Sequence, residues 1–173
     1  MIDKTKSIPE LTFKLEINHD ISRIWQMWTS ESGLRSFLSP DIAVEFRPGG
    51  RFEIYFDMSQ PEGMRGSEGM IVLALEKEHL FSFTWNSPPF LQDIRQQMTS
   101  VFISFTPLSP VKTLLYFLHT GFGQGKQWQE SMDYFENAWG NIVLPRLLYA
   151  LDHGAYPWEN SNDPPALQKI IFL

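Results

Sequence analysis

The stretch Trp128-Gln129-Glu130-Ser131-Met132-Asp133-Tyr134-Phe135-Glu136-Asn137-Ala138-Trp139-Gly140-Asn141-Ile142-Val143 places Trp128, Met132, Phe135, Trp139 and then Ile142 or Val143 at spacings near one helical turn. Gln129, Glu130, Asp133, Glu136 and Asn137 fall between them. That period is the signature of an amphipathic α-helix whose apolar stripe must be buried against another layer. Gly121-Phe122-Gly123-Gln124-Gly125 leads the chain into it, and Leu147, Leu148 and Leu151 extend the stripe to Gly154, the expected stop. Pro145 removes a backbone donor inside the pattern, so a kink is expected there rather than an end.

The layer facing this helix is written upstream. Leu11 to Asn18 alternates Leu11, Phe13, Leu15 and Ile17 against polar partners, the period-2 pattern of a half-buried strand. Asp20 is a good N-cap for a short helix carrying Ile21, Ile24, Trp25 and Trp28, and Ser30 opens a second through Leu34, Phe37 and Leu38. Ile42 to Arg47 and Phe52 to Asp57 read as strands joined at Pro48-Gly49-Gly50. Ser59 to Ser67 is a loop by composition. Gly69 to Leu75, Leu80 to Asn86, Met98 to Thr106 and Lys112 to Phe122 complete a meander, with Ser87-Pro88-Pro89-Phe90 opening a loop. There are no internal repeats.

Composition narrows the function classes. A chain of 173 residues with 43% hydrophobic content suits one domain, and at this length roughly 70% of the unfolded surface is buried without covalent staples. Cysteine is absent, which favours a reducing compartment, and the expected location is cytoplasmic. No segment approaches a membrane span. The net charge is −6 with scattered basic residues, so nucleic acid is excluded as an expected partner. Aromatic content is high: 14 Phe, 6 Trp and 5 Tyr, more rings than a small charged-surface domain requires.

The order strand, two short helices, six strands and one long helix defines an α+β class: a curved antiparallel sheet of about seven strands, two short helices, and one long C-terminal helix on its face. The expected domain spans residues 1–154, with 155–173 as a tail. Several motifs then resemble the START-like, or SRPBCC, superfamily with its helix-grip fold, and within it the homologues of activators of the heat-shock-chaperone ATPase. They are Ile24-Trp25-Gln26-Met27-Trp28-Thr29, Gly33-Leu34-Arg35-Ser36-Phe37, Arg47-Pro48-Gly49-Gly50-Arg51-Phe52, Leu80-Phe81-Ser82-Phe83-Thr84-Trp85, His119-Thr120-Gly121-Phe122-Gly123 and Phe135-Glu136-Asn137-Ala138-Trp139-Gly140. The resemblance covers roughly Leu11 to Gly154. It departs at Phe37-Leu38, where an aromatic pair is common in the family, and at Ala138, where glycine is frequent. It implies a hydrophobic cavity in some members, chaperone binding in others, and cyclase or hydrolase chemistry in a few relatives.

Strand parity turns Phe81, Phe83 and Trp85, then Val101, Ile103 and Phe105, then Thr113, Leu115, Phe117 and His119 toward the helix. Cavity walls and filled core share this signature, because burial at roughly 25 cal/mol per Å² stabilises either. The expected ligand-binding set is Trp28, Phe37, Phe83, Trp85, Ile103, Phe105, Leu115, Phe117, His119, Met132, Phe135 and Trp139. His119 is the inward titratable group, able to hydrogen-bond a ligand or serve as an acid-base residue; a satisfied structural histidine is the blander alternative. His19, His79, His119 and His153 lie on separate elements without ligand spacing, so no metal is expected. The glycine run at Gly121 lacks a phosphate-loop ending, and no serine has a nucleophile elbow, so neither a cofactor nor a catalytic set is expected.

Three functional readings follow. The first is non-enzymatic binding of a small hydrophobic molecule between sheet and helix, the second a chaperone- or partner-binding module without a ligand, and the third an enzyme using His119. On the opposite sheet face, Leu114, Tyr116, Leu118 and Phe102 are also apolar. Either the terminal Ile170-Ile171-Phe172-Leu173 or a second subunit is expected to cover them, the latter giving a homodimer.

Overall fold

The structure is a computed structural model and describes residues 8–160 and 162–167. The alternation read in the first strand places β1 at Glu10–Ile17, with Leu11, Leu15 and Ile17 buried. Asp20 caps helix α1 (Ile21–Thr29) by accepting from the Arg23 amide at 3.0 Å. Ser30 caps α2 (Glu31–Phe37) through the Gly33 amide at 3.0 Å. Each side-chain oxygen satisfies one of the amides a helix start leaves unpaired.

The remaining strands are β2 (Asp41–Val44), β3 (Phe52–Tyr55), β4 (Val72–Glu76), β5 (Leu80–Trp85), β6 (Thr99–Ser109) and β7 (Lys112–Thr120). All seven expected strands form, but in two ladders: a five-stranded antiparallel sheet in the order β1-β7-β6-β5-β4, and the hairpin β2-β3. The hairpin is stitched to β4 by the Phe52 amide donating to the Met70 carbonyl and the Val72 amide donating to that of Gly50, both at 2.8 Å. Its strands are shorter than read because Glu45 to Gly50 folds as an irregular turn, with Gly49 at φ 74°. A short helix α3 (Gln92–Arg95) occupies the segment read as a loop.

The long helix runs as α4 (Lys126–Asn137), a π-helical turn (Ala138–Val143) and α5 (Leu144–His153). The expected kink at Pro145 takes the form of this wider turn just upstream. Proline cannot donate to the carbonyl four residues back and its ring crowds that carbonyl, and a π turn relieves both. Val143 is buried whereas Ile142 is 38% exposed, so the stripe continues through Val143.

Parity places Phe81, Phe83, Trp85, Val101, Ile103, Phe105, Thr113, Leu115, Phe117 and His119 inside, all buried, with Phe81 and Phe83 packed on Phe52 of the hairpin. On the outer face Phe102, Leu114, Tyr116 and Leu118 are half-buried; Phe102 and Leu118 pair with each other across β6 and β7, and the other cross-strand neighbours of these four are polar. Thr12 pairs with Leu118, Glu16 with Leu114, and the Lys14 ammonium lies 5.6 Å from the centre of the Tyr116 ring. Ile170 to Leu173, expected to cover this face, lies outside the described residues. Beyond Gly154 the chain returns over α2: the Tyr156 amide donates to the Ser36 carbonyl and the Trp158 indole to that of Arg35, both at 2.7 Å.

Candidate functional site

The centre of the helix-to-sheet space is filled with rings. Trp28 packs edge-on against Phe37 at 4.9 Å between centroids and reaches Phe117 at 6.1 Å, while Phe117 meets Trp139 at 4.9 Å. Such rings interdigitate in tilted and T-shaped pairs and occupy space that parity alone would leave open.

A cavity of about 490 Å³ opens instead at one end of this core, where β5 runs out through Trp85, Asn86, Ser87, Pro88 and Pro89. Its helical wall is Tyr134, Phe135, Ala138, Trp139, Ile142, Val143 and Arg146, one face of α4, the π turn and α5. Leu38, Ser39 and Pro40 after α2, Phe56 after β3, and Trp158 from the returning segment complete it, with Gly66 and Arg95. Of the twelve expected ligand-binding residues, Trp85, Phe135 and Trp139 line this cavity. Trp28, Phe37, Phe83, Ile103, Phe105, Leu115, Phe117 and His119 are buried in the core beside it, and Met132 packs half-buried against that core.

His119 is fully buried and both ring nitrogens are engaged. Nδ1 accepts from the Trp139 indole N–H at 3.1 Å, and since an indole nitrogen only donates, Nδ1 is the unprotonated nitrogen. Nε2 therefore carries the proton and donates to Thr99 Oγ1 at 2.7 Å, and Thr99 in turn donates to the Trp85 carbonyl at 3.2 Å. Phe122 and Phe135 flank the imidazole at 4.5 and 4.9 Å between centroids. Burial holds its pKa far below the ordinary 6.5, at about 3, so the ring is neutral. It does not face the cavity.

One wall rests on Arg95, which is 6% exposed. Its Nε and Nη2 donate to the Gly63 carbonyl, Nη2 also to that of Gly66 at 2.8 Å, and Nη1 to that of Ser87. Burial draws this guanidinium below its ordinary pKa, while Glu68, 3.6 Å away, opposes the shift. Glu68 itself accepts the amides of Gly63, Arg65 and Gly66 at 2.7–3.0 Å, so a two-residue charge pair shapes the loop that closes this side. Among the described residues no group of three or more His, Cys, Asp or Glu could hold a metal ion, and no helix is long and apolar enough to cross a membrane.

The sequence reading missed Arg95, Phe56 and Trp158 because they sit on a four-residue helix, just past the end of β3 and on the returning segment, where no period marks a buried face, and it missed Arg146 because a charged residue on α5 does not register in an apolar stripe. Two signals were present: Leu38 and Ala138, where the motifs depart from the family they resemble, both line the cavity.

An antiparallel sheet gripping a C-terminal helix, with a cavity at one end of the grip, is the helix-grip architecture. The chain belongs to the family described as Activator of Hsp90 ATPase homolog 1-like protein, which matches residues 18–148. No curated protein matches the sequence. Among solved structures it is similar to a Mesorhizobium loti protein at 21% identity and a TM-score of 0.65, covering 83% of this chain and 97% of that one. The solution structure of the Aha1 dimer from Colwellia psychrerythraea is similar at 16% identity and TM-score 0.63, covering 85% and 98%. An HSP90 activator from Plasmodium falciparum is similar at 14% identity and TM-score 0.62, covering 86% and 98%. At these identities the likeness shows the fold.

Proposed function

We propose that the protein is a non-catalytic binding module that holds a small hydrophobic molecule in the cavity between β5, the π turn and the returning segment. The observation that carries this reading is the cavity itself: about 490 Å³ walled by Phe56, Trp85, Phe135, Trp139 and Trp158. That size and lining suit a compact ligand. A π turn at the wall adds support, since such turns recur at functional sites. The test is fluorescence titration with N-phenyl-1-naphthylamine, a neutral hydrophobic dye. Wild type should bind saturably, and Ala138→Phe, which fills the wall from a half-buried position, should remove binding while leaving the unfolding midpoint near wild type. A wild type that shows no saturable binding would reject the reading.

The family membership favours a second reading, partner binding to a heat-shock chaperone. Its contact surface would include the exposed rings Phe56, Phe90 and Tyr134 near the cavity mouth. Addition of the protein to the Hsp90 of its own organism should then raise ATP turnover, and Tyr134→Glu should lower that effect; unchanged turnover would exclude it. For the outer sheet face we carry forward the homodimer, supported by half-buried Leu114, Tyr116 and Leu118 and by one structural relative described as a dimer. Sedimentation equilibrium of the full chain decides, with Tyr116→Glu expected to yield monomers.

A further inference from the structure

We infer that the cavity selects hydrophobic molecules bearing a carboxylate, and that Arg146 receives that carboxylate. This rests on the cavity-binding reading and adds the ligand's chemical class to it. The chain carries a formal charge of −6, yet the charged side chains lining the cavity are Arg95 and Arg146, with no Asp or Glu among them.

The two arginines differ in what they have left to give. Arg95 is committed to the carbonyls of Gly63, Gly66 and Ser87 and faces Glu68 at 3.6 Å, so it builds the wall. Arg146 sits beside two aromatic rings, its guanidinium carbon 4.3 Å from the centre of Tyr156 and 5.3 Å from that of Trp158. Its Nε is shut off from water and has no hydrogen-bond partner among the described residues. Its Nη2 stands 4.0 Å from Asp163 Oδ1, beyond a hydrogen bond. Asp163 is half exposed and already accepts the Tyr156 hydroxyl at 2.6 Å.

The terminal nitrogens of a guanidinium form a planar pair that matches a carboxylate's two oxygens, and the Arg146 side chain as a whole is 24% exposed. A ligand carboxylate within reach of those nitrogens would form a charge-assisted hydrogen bond with them. Arg146 follows Ile142 by four residues and Val143 by three, so its head shares a helix face with the apolar lining. A molecule lying along that face meets Trp139 and Val143 with its body and Arg146 with its anionic end.

The experiment displaces N-phenyl-1-naphthylamine from wild type near neutral pH with 1-naphthaleneacetic acid and, separately, with 1-naphthaleneacetamide, its uncharged counterpart. The acid should displace the dye at a concentration lower by roughly tenfold or more, the scale of one charge-assisted contact. In Arg146→Met the two competitors should become equal while the dye still binds, and Arg146→Lys should restore part of the preference. Dye binding with equal displacement by acid and amide in wild type overturns this inference and leaves the cavity reading standing. Absence of dye binding overturns both. A preference for the acid that survives Arg146→Met overturns the assignment to Arg146.

Discussion

His119 should make the protein progressively less stable as pH falls from about 6.5 toward about 3. Burial lowers the imidazole pKa from 6.5 to about 3 in the folded chain. Above about pH 6.5 neither the folded nor the unfolded chain protonates the ring, and it contributes no pH dependence. Below that value the unfolded chain binds a proton that the folded chain refuses, so stability falls as pH falls, and the loss levels off once the folded ring also protonates near pH 3. The slope from this one group approaches about 1.4 kcal/mol per pH unit well below pH 6.5, which integrates to about 2 kcal/mol between pH 6.5 and roughly pH 4.5. Carboxylates add their own slope in the acid range, so the measurement is a difference. Urea unfolding of wild type and His119→Gln is followed across this range, and both chains share every other titrating group. The variant should be the less stable near neutral pH, since glutamine cannot reproduce both hydrogen bonds of the ring, but the gap should shrink by about 2 kcal/mol by roughly pH 4.5. A gap that stays constant across the range would refute the argument, as would an imidazole titration midpoint near 6.5 by NMR.

Gly33→Ala should lower stability by about 2–3 kcal/mol, because a Cβ there would lie 2.4 Å from the Gln26 and Met27 carbonyl oxygens, all backbone of α1. The ordinary helical advantage of alanine, about 1 kcal/mol, is too small to offset that collision. An unchanged urea midpoint would show that α1 and α2 are not so tightly apposed. Trp139→Phe keeps a ring but removes the N–H that His119 Nδ1 accepts, at a cost of about 1–3 kcal/mol. The freed nitrogen should also raise the His119 titration midpoint, which NMR reads directly. Arg95→Met strips donors from the Gly63, Gly66 and Ser87 carbonyls and leaves Glu68 unopposed, so a loss of about 3 kcal/mol or more is expected in urea, with weaker dye binding.

The parts of the fold legible in the sequence are those governed by a period or a cap. Phe81, Phe83 and Trp85 alternate with Ser82 and Thr84, and that parity placed them on the buried face; Asp20 and Ser30 marked the two helix starts through their side-chain oxygens. The position of the cavity was not legible, because parity says which side chains point inward and not whether they meet. Here Trp28 fits between Phe37 and Phe117, and Phe117 against Trp139, which packs the centre with rings, while the cavity lies where β5 ends in Ser87-Pro88-Pro89. Proline ends the ladder, so the wall there is built from loops and from Trp158, beyond the expected helix stop. The π turn was equally hidden, since Pro145 announces a local problem and not the geometry that resolves it.

Two of the three tryptophans that wall the cavity, Trp85 and Trp139, are also the two ends of the buried hydrogen-bond chain. Trp139 donates to His119, His119 to Thr99, and Thr99 to the carbonyl of Trp85, so one polar path joins the π turn to β7, β6 and β5. Each link is out of water, where a missing partner is costly, so the path fixes the Trp139 indole against the sheet and ties the end of β5 beneath it. Trp85 and Trp139 then meet at 5.3 Å as a wall whose position is set from inside the core. A ligand entering such a site loses little to reordering of its walls, which is how preorganisation raises affinity for a small apolar body. The same coupling makes an acid-base role for His119 incompatible with its structural one, because protonating Nδ1 would expel the Trp139 donor and release the wall.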